Sequence, residues 1–284
     1  MENQQIFTVR PLYPNRTSYV DAKTREFVPA IVSQGLGFHT NRCIFGLNFN
    51  DPYMMYSEFE LKMVEELDKL WEDSNDPLVR ANLEETQKLR FLQGCHWDIY
   101  SAKNAISDYV SWYMKHPLLE PKQAPDRNAP ETWLYFYGRD KCMRPILIID
   151  CRRLQVMKEI HNSSTLAQDC LVEVMTFFVA SLTLPGKVEQ LVVIADLEGC
   201  FFWNVPWDEF NSCIQTLTSK FRGRLSQLIF LHTPLVFYSL WQIAKPLIPE
   251  RTAAKVKLYR FDYKDELLNS IDLDEIDPAI SNRF

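Results

Sequence analysis

An α/β fold led by a helical bundle is what this sequence predicts, and three observations carry the prediction. Apolar residues recur at three- and four-residue spacing between Glu58 and Tyr113, the mark of amphipathic helices. Four prolines then crowd residues 117–131 (PLLEPKQAPDRNAPE), which cannot join a helix interior or a central strand and therefore read as a connection. Beyond it, continuous apolar runs alternate with helical segments, the pattern of a mainly parallel sheet buried on both faces.

Residues 1–56 hold Pro11, Pro14, Pro29 and Pro52, short apolar runs and a GLG turn without any sustained period, so they read as an extension with no assigned element. The lead-in spans 57–116. Its first helix is marked by Phe59, Met63, Leu67, Leu70 and Trp71, a second follows Pro77, and a third carries Ile99, Ala102, Ile106, Tyr109, Val110 and Tyr113 on one face. The α/β region spans 132–262. WLYFY (133–137) and PILIID (145–150) are strand-like and separated by the polar turn GRDKCMR. A helix over about 163–184 ends at Pro185-Gly186, LVVIAD (191–196) is the next strand, a helix follows near 206–220, then LIFLH (228–232), then a helix from Leu235.

Composition narrows the functional classes. With 284 residues, 46% apolar and 24% charged, the chain is an ordinary globular one, and its formal charge of −6 argues against a surface given over to nucleic acid. Residues 262–284 hold seven acids against Lys264 and Arg283, which makes 263–284 an acidic tail and leaves the body nearly neutral. Seven scattered cysteines without a C-x-x-C pair suit reduced thiols, and no window has the length of apolar sequence that a membrane span needs. The expectation is a cytoplasmic protein whose membrane contact, if any, is peripheral.

The search for catalytic chemistry returns little. Nucleophile-elbow, zincin, Walker and dinucleotide motifs are all missing, and the five histidines are dispersed, so neither a cofactor nor a metal site is expected. Asp196 and Glu198 stand at a strand end, where α/β enzymes place functional groups, but a strand-end aspartate is more often a turn or cap former. The chain is read as no enzyme. His232, closing an apolar strand, reads as a hydrogen-bonded core or turn residue.

The segment PLVFYSLWQIAKPLIP (234–249) is the most unusual. As a helix it places Ser239, Gln242 and Lys245 in one narrow polar stripe and apolar or aromatic residues almost everywhere else. Such a helix is either a buried core helix or one that lines an apolar cavity, and periodicity does not separate the two. Basic residues flank it: Lys220, Arg222 and Arg224 before, Lys245, Arg251, Lys255, Lys257 and Arg260 after, either a solvated surface or a site for phosphate or anionic lipid.

Four blocks in order, LRFLQGCHWDIYSAKNAI, GRDKCMRPILIID, VVIADLEG and LSQLIFLHTPLVFYSLWQIAKPLIPERTAAKV, resemble the CRAL-TRIO lipid-binding family over about residues 57–262. The resemblance implies a helical bundle ahead of an α/β domain whose sheet floors a pocket for one hydrophobic molecule, closed by a gating helix at 235–247. It implies a lipid-binding and lipid-transfer function with phospholipid, phosphoinositide or isoprenoid-type lipid as partner, transient contact with anionic membranes, and no nucleic acid. Ile194, Phe230, Phe237, Trp241 and Ile248 are the expected pocket and gate residues.

Inositol-lipid-transferring members of the family carry an arginine where this chain has Cys95 and a glutamate where it has Gly223, and share only the lysine at Lys255. Arg224, Arg251 and Lys255 instead resemble the positions at which the tocopherol-transfer branch meets a membrane phosphoinositide outside the pocket. The rival reading is an interaction module of the same fold whose pocket is filled by Phe201, Phe202, Trp203, Phe230, Phe237, Tyr238 and Trp241.

Overall fold

The computed structural model describes residues 57–72, 83, 85–115, 132–154, 156, 166–183, 188–199, 207–247 and 250–284. They fall into two compact units.

The first unit gathers the lead-in helices together with residues 176–189 and 217–223. Helix α1 (Glu58–Glu72) opens with a capping box, in which the Ser57 N–H donates to Glu60 Oε2 at 2.7 Å and the Glu60 N–H donates to Ser57 Oγ at 3.2 Å. Helix α2 (Glu85–Gly94) and helix α3 (Ile99–Lys115) follow. The start expected at Pro77 lies outside the described residues. Leu67, Leu89, Leu92, Ala102 and Ile106 form the fully buried centre, so the three- and four-residue spacing marks the inward faces. Phe59 is the exception: it is about half exposed, with its ring edge-on to Trp97 at 5.0 Å. Arg90 and Glu189 form an ion pair inside this unit with both side chains buried.

The second unit holds a five-stranded sheet in the order β1 to β5, made of β1 (Leu134–Arg139), β2 (Pro145–Asp150), β3 (Leu191–Asp196), β4 (Leu225–Leu231) and β5 (Val256–Leu258). Strands β1 and β2 form an antiparallel hairpin, and every later neighbour is parallel. Helix α4 (Leu166–Phe177), prolonged by a π turn (Phe178–Leu182), lies between β2 and β3 in the chain, and α5 (Trp207–Lys220) lies between β3 and β4. Helix α6 (Leu235–Ala244) and a short α7 (Glu250–Ala253) lead into β5. This last strand has three residues, too few for a periodicity to announce it.

Residues 263–284 form α8 (Lys264–Ser270), a 3-10 turn (Leu273–Glu275) and α9 (Pro278–Ser281). This acidic stretch belongs to the sheet unit. Leu267, Ile271, Ile276 and Ile280 are buried against Tyr135, Ile146, Ile148, Val192, Ile194, Ile229 and Leu231, and so close one face of the sheet. The GRDKCMR hairpin locks onto the same segment: the Arg139 N–H donates to Glu275 Oε2 at 3.0 Å, and the Lys141 N–H donates to the Ser270 carbonyl at 2.8 Å. Burial pushes the Asp140 carboxyl up, and Arg144 and two backbone N–H groups pull against that shift while fixing the turn.

Candidate functional site

Successive residues of a strand point to opposite faces, so the register divides the sheet's side chains into two sets. Ile146, Ile148, Val192, Ile194, Ile229 and Leu231 share the face closed by 263–284. Lys257 belongs with them, since it pairs in register with Ile229 and binds Glu266 of α8. Leu228 and Phe230, in register with Val256 and Leu258, fall on the opposite face, and all four are half-buried.

Ile194 and Phe230, both expected to line the pocket, therefore fall on different faces. Ile194 is 1% exposed within the closed core, on the face away from Phe230, because the Ile194–Ile229 and Ala195–Phe230 pairings set the two residues out of phase. Phe230 lies half-buried on the opposite face.

Helix α6 accounts for the apolar segment. Its root is Thr233, wholly buried, whose N–H donates to the Tyr259 carbonyl at 2.9 Å and whose hydroxyl donates to the Phe230 carbonyl at 3.2 Å. From there on, none of the described side chains of α6 is buried: Leu235 is 62% and Ile243 70% exposed, Val236 is exposed, and Phe237, Tyr238, Leu240 and Trp241 are half-buried. A core helix would bury such residues, so the core-helix alternative does not hold. Ser239 and Gln242 lie on the exposed side with Leu235, Val236 and Ile243, so the polar stripe runs between apolar residues that also face solvent. The Tyr238 hydroxyl donates to the Leu258 carbonyl at 3.1 Å and ties the helix to β5.

The basic residues separate. Arg224 is buried, 6% exposed, at the start of β4, where its carbonyl accepts the Leu191 N–H at 2.8 Å. The Lys255 ammonium donates to the Leu225 carbonyl at 2.6 Å and so staples the approach to β5 onto β4. Arg224 is thus buried, whereas Lys255 is half-buried with its ammonium on a backbone carbonyl. Arg251 lies in α7 with its side chain outside the described set; Ile248, Phe201, Phe202 and Trp203 also lie outside the described residues. Cys95 stands 3.7 Å from the Arg222 guanidinium; burial pushes its thiol up, with Arg222 opposing.

Asp196 and Glu198 are bound up in a network that sequence reasoning did not assemble. His232 Nδ1 meets Asp196 Oδ1 at 2.7 Å and His232 Nε2 meets the Tyr263 hydroxyl at 3.1 Å, while Arg283 donates at 2.6 Å to both Asp196 and Glu198. Left-handed His232 (φ 51°) makes the turn that brings its ring there. The partners come from residues 36 and 87 positions away in the chain, a distance no local pattern reports. Among the described residues no group of three or more histidine, cysteine or acidic side chains is placed to hold a metal, and no helix is long and apolar enough to cross a membrane.

Comparisons with known proteins bear on the family and the fold. The chain is 20% identical over 256 residues to the SEC14 cytosolic factor of Eremothecium gossypii, covering 83% of this chain and 80% of that protein. It is 20% identical to the CRAL-TRIO domain-containing protein YKL091C of Saccharomyces cerevisiae, covering 69% of this chain and 70% of the relative. With the Caenorhabditis elegans CRAL-TRIO domain-containing protein T23G5.2 it shares 22% identity over 65% of its own length but spans only 28% of that longer protein. The crystal structure of Sfh5 superposes with a TM-score of 0.54 at 13% identity, over 74% of this chain and 83% of that one, which is a likeness of fold. The family model described as CRAL/TRIO domain matches residues 131–279, from just before β1 into α9, and the chain therefore belongs to the CRAL/TRIO domain family.

Proposed function

We propose that this protein binds and transfers lipid, holding one hydrophobic molecule against the sheet face of Leu228, Phe230, Val256 and Leu258 with α6 as its lid. The family membership and the SEC14-like relatives support lipid binding in general. The single observation behind the finer reading is α6 itself, a nearly all-apolar helix none of whose described side chains is buried. Apolar surface left in water is costly, about 25 cal/mol per Å², so a helix of this kind is retained where another apolar body covers it. An acyl or isoprenoid chain supplies that body, each buried methylene contributing about 0.8 kcal/mol.

The exposed row of Leu235, Val236 and Ile243 suits the interfacial layer of a bilayer, where an apolar helix face is stabilised while the lid is open. Lys245, exposed just beyond the helix, and Arg251 in α7 are the cations proposed to meet anionic lipid there. Exchange of cargo at the membrane surface, as a peripheral protein, follows from those two parts.

Mass spectrometry of organic extracts of the purified full chain tests the reading. One lipid per protein is expected, and Arg251→Ala with Lys245→Ala is expected to weaken binding to anionic vesicles by about 1 kcal/mol per charge in a salt-sensitive way. A protein that neither carries nor takes up lipid from vesicles would instead be an interaction module with a filled interior.

A further inference from the structure

Backbone hydrogen bonding shows what holds the lid. Tyr259, next after β5, donates its N–H to the Phe230 carbonyl at 2.8 Å and accepts the Thr233 N–H at 2.9 Å, so both of its backbone groups face β4. Alternation along the strand then turns the Leu258 carbonyl the other way, toward what is, among the described residues, the outer edge of the sheet. An unpaired edge carbonyl is a liability that proteins cover. Here the cover is the Tyr238 hydroxyl at 3.1 Å, which is, among the described residues, the side-chain hydrogen bond that α6 makes. On either side of it the segment is anchored by wholly buried Thr233 before the helix and by buried Ala253 and the Lys255–Leu225 bond after it.

We infer that Tyr238 is the latch of the lid: its bond to the Leu258 carbonyl holds α6 over the sheet edge, and breaking that bond releases 235–244 while the two anchors stay fixed. The inference rests on reading α6 as a lid. Opening strips the β5 edge of its cover at the same moment, so the latch favours reclosure and keeps the exposed edge short-lived. The aromatic ring of Tyr238 packs whether or not its hydroxyl is bonded, which lets the bond be tested apart from the packing.

The test uses the full chain with Tyr238→Phe, Tyr238→Ala and, as a control on the exposed side of the helix, Ser239→Ala. Amide hydrogen exchange of the 235–244 peptide reports opening, and uptake of pyrene-labelled phosphatidylcholine from phosphatidylcholine vesicles reports exchange of cargo. Tyr238→Phe should open roughly fivefold more often, the weight of one net hydrogen bond, and take up the probe faster by a similar factor. Saturation and thermal midpoint should stay unchanged, with Ser239→Ala behaving as the parent. Parent-like exchange in Tyr238→Phe overturns the latch, and faster exchange in Tyr238→Ala alone would assign the effect to packing. Accelerated opening in Tyr238→Phe with no uptake by any form would uphold the latch and sink the lipid-carrying reading.

Discussion

Arg283 donates to Asp196 Oδ2 at 2.6 Å, joining the turn after α9 to the carboxyl end of the central strand across 87 positions of sequence. The other Asp196 oxygen receives His232, and Glu198 takes the second Arg283 nitrogen. Two carboxylates that looked like acid–base candidates in the sequence thus hold the segment closing one face of the sheet.

Burial alone would raise the Asp196 carboxyl, yet the bonds from His232, the Glu198 N–H and Arg283 hold it below the ordinary aspartate value. A depressed folded value means that the stabilisation is complete above the unfolded value of about 3.9 and is lost as pH falls through the folded one. Denaturation midpoints measured from pH 7 to 3 should fall at the acid end for the parent, and Asp196→Asn should lower stability near neutrality and flatten that fall. Equal slopes would remove Asp196 from the acid response.

Gly138 (φ 68°) sits where an added Cβ would run into the Glu275 carbonyl. Gly138→Ala meets both left-handed strain and a backbone clash, so a loss of at least about 2 kcal/mol is expected. Urea denaturation measures it, and a neutral result would mean that the hairpin and the 3-10 turn do not interlock.

Arg90 and Glu189 are 6% and 4% exposed, so removing either partner leaves a buried charge. Arg90→Met or Glu189→Leu should each cost about 3–5 kcal/mol, and the double substitution much less than their sum. Additive losses in the double-mutant cycle would show that the two charges do not depend on each other.

Ile194 and Phe230 offer a paired comparison of the two sheet faces. Ile194→Ala should cost about 2–5 kcal/mol while leaving lipid uptake per folded molecule intact. Phe230→Asp should cut uptake roughly tenfold or more, because it sets a charge on the apolar face. Should Ile194→Ala abolish uptake in folded protein, the assignment of faces would be overturned.

Local chemistry carried much of the architecture. Strands PILIID and LVVIAD read at their observed limits, and the helices at Glu58, Ile99, Trp207 and Leu235 begin within a residue or so of their expected starts, because periodicity, proline and capping residues act over one or two turns. The shortfalls have physical causes too. The expected helix to residue 184 gives way after Phe177 to a π turn, and β5 is too short to show alternation.

By itself the sequence determined the fold class, the family resemblance and the singular apolar helix, since each resides in neighbouring residues. Only the tertiary structure decided which residues share a face of the sheet, and with it that Ile194 belongs to the core closed by 263–284 and Phe230 to the half-buried part of the opposite face. The same holds for Arg224, which is buried, and for Lys255, whose ammonium is bound to the Leu225 carbonyl, though both look like free surface charges in a string of basic residues. A strand's register and the partner of a long side chain depend on segments tens of residues away, and no window along the chain contains both halves of such a contact.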